Sequence, residues 1–234
     1  MTDTLPEHAT GRSMRRRGLR RLSELLDATE RLLEQDPEGG VTLAQIAQAS
    51  GVPLPSLYHF FPNRNAALEA LAHRLHDEIH QIAIRPLRDP EPQSWQEMLH
   101  MKHLRAAAFQ NSRPAALWLF LGAGVSAAVR SADLRGNARV ARSNVRFFEA
   151  YFHMPMVPDF AGQLEVVAAA VDGIWALSYG RHGVITEDYR REATHAAIAS
   201  LRRILPEHLE RRPLTEAALA AIGDPADADS EEPA

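Results

Sequence analysis

Residues Thr42–Arg64 read TLAQIAQASGVPLPSLYHFFPNR, and this stretch decides the fold that we predict for the chain. Thr42 is a suitable N-cap for a helix, with Gln45 in the capping-box position three residues later. Gly51 can end that helix, because glycine adopts a positive φ without steric penalty. A second short helix then runs to Pro62. The spacing predicts a helix-turn-helix, whose second helix can enter the major groove of DNA.

Apolar residues within the stretch follow the packing pattern that such a motif needs. Ile46 and Ala47 face inward on the first helix, and the small side chain of Ala47 lets the next helix cross closely. On the second helix, Leu57, Phe60 and Phe61 are expected to lie in the core. The pattern therefore predicts a short recognition helix that is anchored on one side.

The residues before the motif predict a supporting helix and a basic arm. A single apolar stripe predicts a helix from about Arg20 to Gln35, and its members are Leu22, Leu25, Leu26, Thr29, Leu32 and Leu33. Six arginines lie between Arg12 and Arg21. We interpret residues 1–19 as a disordered arm that seeks phosphates and releases counterions, with contacts from Arg16, Arg17 and Arg20. The alternative is a solvated, like-charged arm.

Three segments together strongly resemble the TetR family of bacterial transcriptional regulators: LLDA at Leu25–Ala28, Thr42–Val52, and LYHFFPNR at Leu57–Arg64. The resemblance covers roughly residues 20–70. It implies that Tyr58 and His59 lie on the recognition helix and touch phosphates and base edges. It also implies that the hydroxyl of Thr42 and the guanidinium of Arg64 meet the DNA backbone.

The start of the recognition helix departs from the family pattern, which often has a Ser or Thr cap followed by a basic or polar residue. This chain has Pro53-Leu54-Pro55-Ser56 instead. Pro55 suits a first helical turn, and Leu54 can pack on a thymine methyl but donates no hydrogen bond. We therefore add Ser56 to the predicted base readers. The alternatives are that Tyr58 is a core tyrosine and that His59 is merely exposed.

Composition narrows the class of protein. The chain has 234 residues, a net charge of -4 and no cysteine, so DNA binding needs a local basic patch, and disulfides and thiol nucleophiles are excluded. The longest apolar stretch, Ala115–Val129, is interrupted by Gly122 and Gly124 and is shorter than the roughly 20 residues that span a bilayer. No signal peptide is evident. We predict a soluble cytoplasmic protein with no membrane partner.

Neither a catalytic motif nor a convincing metal site is evident. There is no Gly-rich phosphate loop, nucleophile elbow or HExxH pattern, so we predict no catalytic residues, no cofactor and no enzymatic activity. His73, His76 and His80 share a helix face, and a metal site there is possible. We favour a solvated helix face, because no carboxylate or cysteine completes the site.

Beyond the motif we expect an all-α chain. Asn63 caps a helix to about Ile84, which completes a DNA-binding domain over residues 20–84. The segment 85–93, with three prolines, is predicted to be a linker to a helical-bundle domain at 94–205. We predict that residues 206–234 form a tail that is acidic and disordered at its end. The helices predicted after the linker are Ser94–Gln110, Arg113–Leu121, Gly124–Ser131, Asp133–Phe152, Pro158–Arg181 and Glu187–Leu205, with Ser94 and Asp133 as caps.

The second domain is expected to bind a ligand and a second copy. Aromatic side chains in a bundle interior suit a small apolar or aromatic ligand, although each could simply fill the core. Our candidates are His103, Trp118, Phe147, Tyr151, Trp175 and Tyr179. In the family, the last two helices pair with their copies in a dimer. That resemblance implies a homodimer interface at Val167, Val171, Ile174, Ala193, Ala197 and Leu201.

Together these features predict a dimeric repressor that binds double-stranded operator DNA and is released by a small ligand. Two alternatives remain at this point: a DNA-binding regulator that is controlled by a protein partner or by abundance, and a helical-bundle enzyme.

Overall fold

The computed structural model describes residues 7–36 and 40–222, with side chains from Arg16 onward. This part of the chain is all-α and contains no strand, which confirms the predicted fold class. The helices are α1 Glu7–Gln35, α2 Leu43–Ser50, α3 Leu54–Leu57, α4 Arg64–Ala83, α5 Trp95–Asn111, α6 Pro114–Leu121, α7 Ala127–Tyr151, α8 Phe160–His182, α9 Glu187–Leu201 and α10 Glu216–Ile222.

The chain divides into two compact units, Met1–Leu71 and Ala72–Ala234, so α4 begins in the first unit and ends in the second. This division differs from the predicted linker at residues 85–93. The proline-rich segment is part of the second unit, because Leu87 is buried and both of its backbone groups bond to the hydroxyl of Tyr151, at 2.7 and 3.1 Å. The prolines therefore mark a packed turn and not a domain boundary.

The first unit has a core drawn from all four of its helices. Leu25, Leu33, Ile46, Leu57 and Leu68 are completely or almost completely buried. Helix α1 begins at residue 7, well before the predicted start, so residues 7–19 of the predicted arm are helical. No proline interrupts this Arg-rich stretch, and arginine favours helices. Residues 1–6 of the arm, like 223–234 of the tail, lie outside the described residues.

The second unit contains one long helix where we predicted two. Helix α7 is continuous, and its cap is Ser126, whose hydroxyl accepts a hydrogen bond from the Val129 N–H at 3.4 Å. Asp133, which we predicted to be a cap, is buried within the helix instead, because its carboxylate is held by two basic side chains. Helix α10, which we did not predict, packs on α7.

Candidate functional site

The turn between α2 and α3 is built by local hydrogen bonds, as predicted. The Thr42 hydroxyl accepts from the Gln45 N–H at 3.2 Å, and the Gln45 amide oxygen accepts from the Thr42 N–H at 2.7 Å. This reciprocal capping box satisfies two N–H groups that a helix start leaves free. Gly51 ends α2 with a φ of 70°, a left-handed conformation that glycine adopts without strain.

The recognition segment is a single α-helical turn extended by tighter turns. Pro55 lies in the first turn of α3, and beyond Leu57 the His59 N–H bonds to the Ser56 carbonyl at 3.3 Å. Leu57 is fully buried, whereas Tyr58 is 52% exposed and His59 is also exposed. Tyr58 is therefore not a core tyrosine. The two candidate readers stand on the solvent side of a buried anchor.

Two other residues that we predicted to contact DNA form hydrogen bonds within the first unit. The Arg64 Nε–H donates to the Val41 carbonyl at 2.9 Å, so Arg64 fixes the loop that leads into α2. The Thr42 hydroxyl donates to the Gln45 side chain at 2.8 Å. Both residues thus have a structural role that the predicted phosphate contacts did not include. Ser56 is half-buried, and Phe60, which we expected in the core, is only half-buried as well.

An exposed basic face precedes the motif on α1. Arg16, Arg17 and Arg20 are all exposed, and the Arg20 Nε lies 3.3 Å from a carboxylate oxygen of Glu24. An exposed ion pair of this kind contributes little to stability, so Arg20 can exchange Glu24 for a phosphate. The three arginines, Tyr58 and His59 form the candidate nucleic-acid surface of the first unit.

The second unit encloses a cavity of about 130 Å³ between α4, α5, α6, α7 and α8. Of the six predicted ligand residues, His103 and Trp175 line it, whereas Trp118, Phe147, Tyr151 and Tyr179 do not. Phe147 and Tyr151 stack on each other in the core, and Tyr151 is bonded to the turn at Leu87. Burial also raises the pKa of Tyr151. These aromatic residues fill the core, which is the alternative that the sequence left open.

Carboxylates form an unexpected part of the cavity wall. Asp172 accepts a hydrogen bond from the Asn137 amide at 2.8 Å. Burial, and then the nearby charge of Asp133, raise the pKa of Asp172 to about 7. Asp133 itself is compensated, because one of its oxygens lies 2.9 Å from His76 Nε2 and the other 2.6 Å from Arg130 Nη1.

The neutral state of His103 follows from its surroundings. Burial, and then the charges of Lys102 and Arg190, lower the pKa of His103 to about 4. The Thr194 hydroxyl donates to the Arg190 carbonyl at 3.0 Å, so it must accept the bond from His103 Nδ1 at 2.9 Å. The proton of the neutral ring is therefore on Nδ1, and Nε2 is an acceptor.

Two basic side chains in the cavity wall hold the end of α4. Lys102 Nζ donates to the Ala83 carbonyl at 2.8 Å and lies 3.4 Å from the centroid of the Phe147 ring. Burial and the charge of Arg105 lower the pKa of Lys102 well below its ordinary value. Arg105 Nη1 donates to the carbonyls of Ile82 at 3.3 Å and Arg85 at 2.7 Å. These bonds satisfy carbonyl groups that a helix end leaves free.

Sequence and structure comparisons agree on the family. Residues 25–71 match the family model described as bacterial regulatory proteins, tetR family. A TetR-family transcriptional regulator from Streptomyces coelicolor superposes with a TM-score of 0.61 at 20% identity, covering 79% of this chain and 99% of that one. Residues 25–71 are therefore similar to the DNA-binding segment of the TetR family, and the chain has the fold of TetR-family regulators. The TetR fold thus accounts for both units, and it confirms the resemblance that the motif residues implied.

Two further solved structures share the TetR fold. A TetR transcriptional regulator from Rhodococcus sp. RHA1 has a TM-score of 0.57 at 18% identity and covers 77% of this chain and 95% of its own. SmeT, the repressor of the Stenotrophomonas maltophilia multidrug efflux pump SmeDEF, has a TM-score of 0.53 at 17% identity, with 81% and 90% covered. No curated protein matches this chain in sequence.

The predicted dimer residues are mostly internal. Five of them, Val167, Val171, Ala193, Ala197 and Leu201, are buried within the single chain, and Ile174 is half-buried. These five side chains pack inside the protomer and leave little surface for a second copy, so their place in a dimer interface stays a prediction. The outer face of α8 carries a second apolar stripe with Val166, Ala170, Gly173 and Leu177 exposed.

Among the described residues, α8 is also the one helix with the length and apolar composition to cross a membrane. We did not expect such a helix. The inner stripe of α8 packs in the bundle core, as core helices of soluble proteins do. Its outer stripe is exposed to solvent in the single chain.

The histidines of α4 are not a solvated face. His76 is buried against Asp133, and His80 Nε2 lies 2.8 Å from the Ser143 hydroxyl, while His73 is exposed. Within residues 7–36 and 40–222, no group of three or more metal-ligating side chains is close enough to hold an ion.

Sequence reasoning missed the polar side of the cavity. Its members recur at helical spacing on single faces, as Asp133, Asn137 and Asn144 do on α7. Asp172 interrupts an otherwise apolar run in α8. A lone carboxylate in such a run was the available signal, since a charged residue is rarely buried without a function or a partner.

Proposed function

We propose that this TetR-family chain is a cytoplasmic, dimeric transcriptional repressor that binds operator DNA and releases it when a small ligand fills the cavity. The observation that carries the proposal is the exposure of Tyr58 and His59 directly beside the buried anchor Leu57. Exposed polar aromatic side chains on a rigid frame can reach base edges and phosphates without unfolding the motif. The arginines of α1 add sequence-independent affinity.

A second copy of the chain is the proposed cover of the outer stripe of α8. Val166 and Leu177 are among the most exposed large apolar side chains of the described residues. Ala170 and Gly173 between them are small, which allows two helices to approach closely. A two-fold dimer presents two DNA-binding units to half-sites about 34 Å apart, or a multiple of that distance. Binding by both units multiplies the affinity of one unit.

Control by a ligand is supported by the position of α4 in the chain. Its first turns belong to the DNA-binding unit, and its later residues, including His76, Ile79 and Ile82, line the cavity. A ligand shifts the protein away from DNA only to the extent that it prefers the geometry that does not bind DNA. Occupation of the cavity would change the packing of this helix directly.

Replacing Tyr58 or His59 with alanine tests the reading surface. We expect each substitution to lower affinity for the DNA that flanks the chain's own gene by about ten- to a hundredfold, because both DNA-binding units lose a contact. Fluorescence anisotropy of labelled DNA measures the loss, and the midpoint of thermal unfolding should stay within a few degrees. His153→Ala, which removes an exposed histidine of the second unit, is the control. A matching loss of thermal stability would instead show that the replaced residue is structural.

Leucine-to-glutamate substitutions at two positions test the dimer surface. Leu177 on the outer stripe of α8 is 48% exposed, and Leu134 on α7 is 53% exposed. We expect Leu177→Glu to convert the dimer to a monomer in light scattering coupled to gel filtration, since a charge would be buried between the copies. Leu134→Glu should remain dimeric. The opposite pattern would move the interface to α7.

A further inference from the structure

Four residues that line the cavity each have a buried polar atom for which the described protein supplies no hydrogen-bond partner. These atoms are His76 Nδ1, Gln110 Oε1, Asn144 Oδ1 and Trp175 Nε1, one from each of α4, α5, α7 and α8. His76, Gln110 and Trp175 are more than nine-tenths buried, at 3%, 7% and 3% exposure. Buried polar atoms in folded proteins nearly always have a partner. Four such atoms in the walls of one cavity suit a molecule that hydrogen-bonds to several helices.

The cavity wall offers a ligand more hydrogen-bond acceptors than donors. Gln110 and Asn144 present amide oxygens, and the neutral form of His103 leaves Nε2 as an acceptor. Asp172 adds a carboxylate whose described hydrogen bond comes from Asn137. Trp175 Nε1 is an unpartnered donor. A complementary ligand consequently carries more N–H donors than acceptors.

The charges of the wall point the same way. Asp133 is already matched by His76 and Arg130, so Asp172 is the carboxylate that can meet a ligand cation. Lys102 and Arg105 also line the cavity, and their positive charges would favour an anionic ligand instead. Their hydrogen bonds, however, go to backbone carbonyls at the end of α4 and in the turn that follows it. An anion would have to break those bonds, whereas a cation at Asp172 breaks none of them.

The volume and the walls limit the rest of the ligand. The cavity of about 130 Å³ is close to the roughly 150 Å³ apolar cavity that holds a benzene ring in another protein. Phe109, Phe120 and Trp175 provide flat apolar surface, and a cation beside them gains further from the ring faces. One ring with a short side chain fills this space.

We propose that the cavity binds a small protonated primary amine with a single aromatic or similarly sized apolar group. The ammonium pairs with Asp172 and donates to the free amide oxygens, and the apolar group lies against the aromatic wall. This inference rests on the proposed ligand control, since it names the chemistry of the molecule that fills the same cavity.

Three probes of nearly equal shape test the inference on the full-length dimer: 2-phenylethylamine, 2-phenylethanol and phenylacetate. Isothermal titration calorimetry at neutral pH should give the cationic amine about tenfold or more tighter binding than the alcohol, with the anion weakest. This comparison needs no variant and does not depend on whether a substitution folds. Tightest binding by phenylacetate, equal binding by all three, or no saturable binding of the amine overturns the proposal.

Two variants, each lacking one carboxylate, test whether the ammonium group of the ligand binds at Asp172. Asp172→Asn keeps the shape of the side chain and should weaken binding of 2-phenylethylamine about tenfold or more, with thermal unfolding recorded to verify the fold. Glu149→Gln removes an equal charge from the exposed side of α7 and should change the affinity less than about twofold, because solvent screens it. Equal effects of the two variants would contradict a contact at Asp172.

Operator release is read separately, by adding 2-phenylethylamine to the complex with labelled DNA. Amine binding without release supports the inference and refutes ligand control of DNA binding. Release by phenylacetate, and not by the amine, supports ligand control and refutes the inference.

Discussion

Replacing Gly136 with alanine is expected to destabilise the second unit by roughly 2 to 4 kcal/mol, because the new methyl group would overlap the imidazole ring of His76. The ring cannot retreat easily. Its Nε2 is bonded to Asp133 at 2.9 Å, and its ring centroid lies 4.4 Å from that of Phe120. Moving His76 would also leave the buried carboxylate of Asp133 with one basic partner fewer, which is costly in a protein interior.

Urea unfolding followed by circular dichroism measures this effect. Gly18→Ala in α1 is the matched control, since a Cβ there meets no atom within 4 Å. That control should stabilise its helix by about 0.5 to 1 kcal/mol, because alanine has the higher helix propensity. If both variants changed the free energy of unfolding alike, the contact between α4 and α7 at His76 would be looser than the structure indicates.

Replacing Asp172 with asparagine should stabilise the protein increasingly as pH rises from about 4 to above 7. The pKa of Asp172 rises from 3.8 in the unfolded chain to about 7 in the fold, so its favourable contribution is complete below pH 4 and is lost through pH 7. Three pKa units correspond to about 4 kcal/mol, but water entering the cavity screens the charge. We therefore expect a gain of about 2 kcal/mol for the variant at pH 8.

His103 has the opposite pH dependence, which makes the comparison sharper. Its pKa falls from 6.5 to about 4 on folding, so its contribution is present above pH 6.5 and is lost as pH falls toward 4. The two groups offset each other in the wild-type protein between pH 4 and 6.5. Urea unfolding at pH 5, 6, 7 and 8 should show stability rising with pH in Asp172→Asn and falling with pH in His103→Gln. Parallel curves for both variants and the wild type would mean that neither group is desolvated.

Local signals were sufficient for the DNA-binding motif. The capping box at Thr42 and Gln45, the positive φ of Gly51 and the buried anchor Leu57 all depend on neighbours within a few residues. Such interactions can be predicted from spacing alone. The role of Arg64 could not, because its bond to the Val41 carbonyl joins residues 23 positions apart.

Periodicity was not sufficient to locate the proposed dimer surface. Helix α8 has an inner apolar stripe with Leu164 and Val171, and an outer one with Val166 and Leu177. Both stripes show helical spacing, and only the packing of the rest of the bundle decides which is covered. The same limit applies to the cavity, where Phe147 and Trp175 are both buried aromatic residues and only Trp175 reaches the empty space.

The charged residues of the two units differ in their exposure to solvent. Binding at the two sites should therefore depend differently on ionic strength. The arginines at positions 16, 17 and 20 are exposed, so in the proposed function dissolved salt would compete with DNA for them, and we expect operator affinity to fall steeply as salt rises. Asp172 lies inside the bundle, where mobile ions screen it much less. Added salt should therefore lower the affinity for DNA and leave the affinity of the cavity for its ligand nearly constant. The same ligand concentration would empty the operator more completely in a saltier medium.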